Sequence, residues 1–171
     1  MLRDQKELLS AFNAHGVEYL IVGGHAVNAH GVPRTTKDLD VFVRPEQPNS
    51  ERVYAALVSF GAPMAGMTEA DFRSDGEQVF QIGVEPSRVD VLQDIGGVKF
   101  DDAWKHRVVG RIDDEVTAPF ISRDDLILSK QAVGRTRDLA DVEELLETER
   151  VRKTLGSVPG MGSIEILGEE P

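Results

Sequence analysis

The hydrophobic positions of this chain change period several times, and each change marks an element. In "MLRDQKELLSAFNAHG", Leu2, Leu8, Leu9 and Phe12 recur at helical spacing among charges. That spacing predicts an amphipathic N-terminal helix and not a signal peptide. "VEYLIVGG" is a buried strand of β-branched and aromatic residues that Gly23 and Gly24 bring to an end. "HAVNAHG" reads as a short helix with Gly31 as its stop and Pro33 just beyond. "DLDVFVRP" is a second strand, and "NSERVYAALVSFG" is a helix capped by Asn49 or Ser50 and ended by Gly61. "APMAGMTEADFRSDGEQ" lacks periodicity and predicts an irregular connection. "VFQIGV" and "RVDVLQDI" predict a hairpin across "EPS". "FDDAWKHR" is a helical turn and "VVGRIDDEVTAPFIS" gives further short strands.

From Ser122 the texture becomes helical. "SRDDLILSKQAVG" has a cap at Ser122 and an apolar face of Leu126, Ile127 and Val133. "RTRDLADVEELLETERV" continues as a second helix, expected to turn Leu139, Val142, Leu145 and Leu146 inward. "GSVPGMGSIEILGEEP" is a Gly- and Pro-rich tail, mobile or docked in extended form. The order predicts an α/β (or α+β) fold with a C-terminal helical appendage. Residues 1–121 form the core, 122–155 a helical lobe packed on it, and 156–171 the tail.

Composition narrows the function. The chain has no cysteine, which excludes disulfides, thiolate zinc sites and a cysteine nucleophile. It has no apolar run long enough for a membrane span, and a cytoplasmic location is the default expectation. A net charge of −11 over 171 residues disfavours strong general binding to nucleic acid or anionic membrane. Local basic clusters, Arg34 with Lys37 and Arg123, Lys130, Arg135 and Arg137, still suit a small anion such as a nucleotide.

The candidate chemistry sits on the second strand. Asp38 and Asp40 are two apart and therefore share a face, while Leu39, Val41 and Val43 take the other. Two carboxylates so close repel unless a cation lies between them, and Mg²⁺, a hard oxygen-seeking ion, resolves the conflict. Asp90, centred in the apolar "RVDVL", is placed to complete a metal triad or to accept a proton from an attacking hydroxyl. Gly23 and Gly24, between a strand end and a helix start, allow backbone N–H groups close to a phosphate. Arg34 and Lys37 are placed for the remaining phosphate oxygens.

A pair of glycines, a short helix and Asp-x-Asp on the next strand resemble the nucleotidyltransferase superfamily of the DNA polymerase β type. "LIVGGHAVNAHGVPRTTKDLDVFV" resembles its minimal bacterial branch, including the abortive-infection AbiE-type toxins. "DLILSKQAVGRTRDLADVEEL" is similar to that branch's C-terminal signature, a lysine followed by Arg-x-x-Asp-x-x-Asp. The resemblance implies a mixed sheet flanked by helices and transfer of a nucleoside monophosphate from an NTP, with two Mg²⁺ ions. The acceptor hydroxyl would belong to RNA such as a tRNA end, a protein or a small molecule, and an antitoxin protein is a possible partner. It further implies that Asp38 and Asp40 bind the ions, that Asp90 is the third carboxylate, and that Gly23 and Gly24 hold the triphosphate. Lys130 would reach over the phosphates, with Arg135 beside it. Asp138 and Asp141 match the run and would orient Arg135 or Lys130, or touch nucleotide. A rival is a partner protein that keeps the fold and binds nucleotide with little turnover.

Other motifs fail. "GGHAVNAHG" lacks the dinucleotide-binding spacing, no Gly-Lys-Ser/Thr follows for a P-loop, and no paired-histidine zinc motif or G-x-S-x-G occurs. His25 reads as filling space at a helix start, His30 as complementing a helix C-terminus, and Trp104 as a packing residue.

Overall fold

The computed structural model describes residues 1–73, 79–84, 87–155 and 165–169. The chain runs α1 (Arg3–Ala14), β1 (Tyr19–Ile21), α2 (Gly23–Ala29), β2 (Leu39–Val43) and α3 (Asn49–Phe60). A 3-10 turn at Glu69–Phe72 precedes β3 (Val79–Ile82), β4 (Val89–Leu92), α4 (Phe100–Lys105), β5 (Val108–Arg111) and β6 (Thr117–Phe120). Helices α5 (Arg123–Val133) and α6 (Thr136–Leu155) and strand β7 (Glu165–Glu169) complete it. One seven-stranded sheet has the order β3-β4-β2-β1-β6-β5-β7. Its β1–β6 and β2–β4 pairs are parallel and the others antiparallel, so the sheet is mixed.

The central strands β1 and β2 are short and apolar, and both are covered. Tyr19, Leu20, Ile21, Leu39, Val41 and Val43 are buried with Leu8, Leu9 and Phe12 of α1 and Val53, Ala56 and Leu57 of α3. Phe12 meets Tyr19 edge-on, and Phe42 meets Phe100 of α4 in the same way. These ring pairs add about 0.5–1.5 kcal/mol each to their area burial. Gly61 closes α3 at φ +86°, a left-handed cap, as its sequence position predicts. Ser122 caps α5 by accepting a hydrogen bond from the Asp125 amide at 3.1 Å.

Four local expectations need revision. Gly23 and Gly24 already belong to α2, because the strand ends at Ile21. Asn49 does not cap α3, whose N-cap is Pro48. Its side chain accepts from the Glu18 amide at 2.7 Å and donates to the Glu18 and Arg44 carbonyls, tying the outer ends of β1 and β2 together. On α6, Val142 and Leu145 are buried but Leu139 and Leu146 are 46% and 42% exposed. The inward stripe is Asp138, Asp141, Val142 and Leu145, and its two carboxylates occupy positions that a hydrophobic reading gives to leucines. On α5 the apolar face is narrower than expected, since Val133 is largely exposed. The "EPS" turn and the end of the irregular connection before β3 fall partly outside the described residues. So does most of the tail, although β7 pairs antiparallel with β5. Among the described residues no helix is long and apolar enough to cross a membrane.

His30 departs from its dipole role. It is buried, its Nε2 donates to the Ile121 carbonyl at 2.8 Å, and burial lowers its pKa to about 4, so the ring is neutral at pH 7. A histidine whose folded pKa lies below its unfolded value of about 6.5 contributes stability that is lost as pH falls from about 6.5 towards 4. His30→Gln keeps a donor for Ile121 and removes the titration. Urea denaturation at pH 7.0 and 4.5 is expected to show wild type losing about 2–3 kcal/mol more than the variant.

Candidate active site

The site grows from the parallel pairing of β2 with β4. The register sets Asp40 opposite Asp90, so two carboxylates on neighbouring strands stand side by side. Asp38 lies just before β2, and two contacts fix that start. The buried Gln5 donates to the Lys37 carbonyl at 2.7 Å, and the Leu39 amide donates to the Arg88 carbonyl at 3.0 Å. A glutamine on an apolar helix face is thus the brace under the acidic strand.

Gly23 closes the other side. Its φ is +60°, and a Cβ there would lie 1.9 Å from Asp40 Oδ2. Both backbone conformation and proximity therefore require glycine. Gly24 has ordinary φ but touches Thr36, where a Cβ would come within 2.6 Å of Oγ1. Gly23→Ala is expected to lose at least about 2 kcal/mol from the left-handed conformation and the contact with Asp40. A double-mutant cycle with Asp40→Ala checks this: the shorter side chain recovers the steric part and leaves the backbone part.

The electrostatics are strained as expected of close carboxylates. Burial pushes the Asp40 pKa up to about 6, and the charges of Asp90 and Asp38 add to the rise, with Arg88 and Lys130 opposing it. Burial likewise raises Asp90, against the pull of Arg88. Arg88 Nη2 donates to Asp38 Oδ2 at 2.6 Å, and its Nε lies 3.3 Å from Asp90 Oδ1 without hydrogen-bond geometry. Asp38 Oδ1 and Asp90 Oδ1 are buried with no hydrogen-bond partner.

A cleft of about 600 Å³ opens over Asp40 and Asp90, while Asp38, Arg88 and Gly24 do not line it. Asp40, Asp90 and Gly23 line one side, and Ser129, Lys130, Arg135 and Asp138 of the α5–α6 pair line the other. Apolar walls come from Val79, Leu92, Ile95 and Leu126. Ser129 fastens α5 to the loop after β4 by donating to the Ile95 carbonyl at 2.6 Å.

Lys130 is held from behind. It is 7% exposed, with Nζ 3.1 Å from Asp138 and 2.6 Å from Asp141, each 6% exposed. Asp138 also accepts from Arg135 Nε at 2.7 Å, and Asp141 pairs with Arg34. Burial acts to raise the Asp138 pKa, but the hydrogen bonds from Arg135 and Lys130 outweigh it and bring it below the usual range. Arg34 thus faces Asp141, Lys37 is exposed, and neither lines the cleft. His25 is buried, its pKa lowered to about 4 chiefly by burial, then by the chain's amino terminus, with Asp38 opposing. Its Nε2 has no hydrogen-bond partner.

Arg88 and Gln5 escape a reading by residue type, because an arginine at a strand start and a glutamine in a charged helix are commonplace. The only sequence signal was the position of Arg88, two before Asp90 and so on the same face.

The mixed sheet, with acidic residues on the adjacent strands β2 and β4 and a cleft lined also by α5 and α6, matches the nucleotidyltransferase fold of solved structures. The solved structures agree. The lincosamide antibiotic adenylyltransferase LnuA, in its lincomycin-bound structure, superposes with a TM-score of 0.55 at 14% identity, over 86% of this chain and 98% of that one. A candidate nucleotidyltransferase from Thermotoga maritima gives 0.56 at 15% identity, over 86% and 96%. The antibiotic-resistance factor ANT(2'')-Ia gives 0.51 at 14% identity, over 88% of each chain. Residues 2–152 match the family described as nucleotidyltransferases of unknown function (DUF6036), and the chain belongs to that family of transferases. No curated protein matches its sequence.

Proposed function

We propose that this protein transfers a nucleoside monophosphate from an NTP to the hydroxyl of a small-molecule acceptor, with Mg²⁺ required. The observation that carries the reading is Asp40 facing Asp90 across β2 and β4, on the floor of a cleft whose opposite wall bears Lys130 and Arg135.

Among the described residues, no three acidic or histidine side chains converge as a ready metal cage. The chemistry of the donors nevertheless fits a hard divalent ion. Two orphaned carboxylate oxygens, Asp38 Oδ1 and Asp90 Oδ1, adjoin Asp40, whose own charge is disfavoured. Asp38, Asp40 and Asp90 are the residues that would hold it. When bound, such ions neutralise phosphate charge and make an attacking hydroxyl more acidic.

The chain's own groups account for the rest. The acceptor oxygen attacks the α-phosphorus, the bond to the β-phosphate oxygen breaks, and pyrophosphate leaves. The hydroxyl proton passes to a carboxylate at the cleft floor. Asp90 is our choice: like Asp40 it lines the cleft with its proton affinity raised by burial, and it comes from the strand beside the Asp38–Asp40 pair. Lys130 and Arg135 face the phosphates from the lobe, and the Gly23 backbone approaches from the core. In this reading residues 1–121 are the catalytic core and 122–155 the lobe that closes the site. Arg34 and Lys37, expected at the phosphates, stand further out. Arg34 serves by holding Asp141, and Lys37 is exposed.

Two of the structural neighbours are named for antibiotics, which supports a compact acceptor, as does the acidity of the chain. An RNA or protein acceptor, with the abortive-infection toxin role and an antitoxin partner, is the alternative; so is nucleotide binding with little turnover. Cytoplasmic NTP suits any of these. Incubation with Mg²⁺, the four NTPs and a panel of hydroxylated antibiotics, tRNA and the protein itself tests the choice by mass spectrometry. A small-molecule adduct of one NMP is expected. An adduct on tRNA or protein alone would overturn the acceptor class.

A further inference from the structure

Arg88 is not accounted for by transfer chemistry, yet it touches two of the three acidic residues. It enters from the first position before β4 and spans from Asp38, at 2.6 Å, to Asp90, at 3.3 Å. Its Nε is buried without an acceptor, and the Asp38 and Asp90 oxygens named above are buried without a donor. The guanidinium is therefore close to both carboxylates while satisfying neither completely. An arginine fork is satisfied best by a single bidentate carboxylate. Here the fork is shared between two acids on different strands, and donors and acceptors are left over on both sides.

We propose that Arg88 is the built-in counter-ion of the acidic cluster and competes with the divalent cation for Asp38 and Asp90. This inference rests on the metal-dependent reading above and adds a positioning residue to it. Without an ion, the guanidinium supplies the positive charge that lets Asp38, Asp40 and Asp90 coexist at the strand ends. An ion on the free oxygens of Asp38 and Asp90 sets a second positive charge against the guanidinium that already answers both carboxylates. A free cation must therefore compete with a charge already in place, and its affinity for the protein alone is correspondingly weak. The nucleotide's phosphates bring oxygen ligands of their own, so the ion is taken up chiefly with the nucleotide. The partial satisfaction of Arg88 lets it yield more easily than a bidentate pair would.

Mn²⁺ titration followed by electron paramagnetic resonance tests this in the absence of nucleotide. Arg88→Gln, with its fold checked by circular dichroism, is expected to bind Mn²⁺ at least 10-fold more tightly than wild type, and Arg88→Lys to stay close to wild type. Adding Asp38→Asn to Arg88→Gln is expected to abolish the gain. Equal or weaker Mn²⁺ binding by Arg88→Gln overturns the proposal, and so does a gain that survives Asp38→Asn. Should Arg88→Gln fail to fold, the Arg88 Nε–H signal of the wild-type protein carries the test. It is expected to shift on addition of Mg²⁺ with NTP, and an unmoved signal contradicts the proposal. A change in packing alone would not raise metal affinity. Nucleotidyl transfer measured alongside separates the two readings: transfer with unchanged Mn²⁺ affinity removes only the role of Arg88, whereas absence of both removes the metal site as well.

Discussion

Asp40→Asn is expected to cost at least about 1000-fold in nucleotide transfer while leaving the fold intact. The loss corresponds to about 4 kcal/mol of transition-state stabilisation, a reasonable share for one carboxylate at a metal-assisted phosphate centre. The fold survives because Asp40 is not a stabilising charge. Its folded pKa of about 6 lies above its ordinary value, so the folded state binds the proton more tightly than the unfolded state does. The stability linked to Asp40 is therefore present below about pH 4 and is lost as pH rises through about 6. Asparagine removes that penalty and keeps the shape. Thermal melts at pH 7.5 should thus place the variant at or above wild type, and initial rates of label transfer should show the loss. A variant that melted several degrees lower would mean that Asp40 holds the core together, and the assignment would fail.

Lys130→Met is expected to produce the largest loss of stability, about 3–5 kcal/mol. Removing a buried ammonium leaves Asp138 and Asp141 close together, answered among the described residues by Arg135 and Arg34 alone. The cost comes from two stranded carboxylates and not from the lost contact as such. Asp138→Asn and Asp141→Asn added to Lys130→Met are therefore expected to recover much of the stability without recovering transfer. Urea denaturation of the single and triple variants checks the first expectation, and the transfer assay checks the second. Equal instability in both variants would mean that methionine packing, and not charge, is at fault.

The parts of the site that were legible in the sequence are those in which residue type conflicts with its setting. Asp38, Asp40 and Asp90 stood out because aspartate is rare in apolar strands, and the parallel register of β2 and β4 does set Asp40 against Asp90. Gly23 stood out at a strand–helix junction, although its nearest constraint is Asp40 itself. The α5–α6 pair was legible as two helices, but not in the faces they turn to one another. Asp138 and Asp141 take inward positions only because Lys130 is there to meet them, and a pairing between helices leaves no trace in the periodicity of one. Gln5, Asn49 and Arg88 were illegible for the same reason. Each is an ordinary surface-type residue whose value lies in the carbonyls or carboxylates that the tertiary fold brings to it.

If this cleft moves the α-phosphorus of a nucleotide, wild-type protein incubated with Mg²⁺ and NTPs labelled in parallel at the α- and γ-phosphates puts α-label into an acceptor adduct and γ-label into released pyrophosphate, and Asp40→Asn does neither. Transfer of the γ-label to the acceptor, or α-label transfer that persists in Asp40→Asn, would rule out α-phosphoryl transfer at this site.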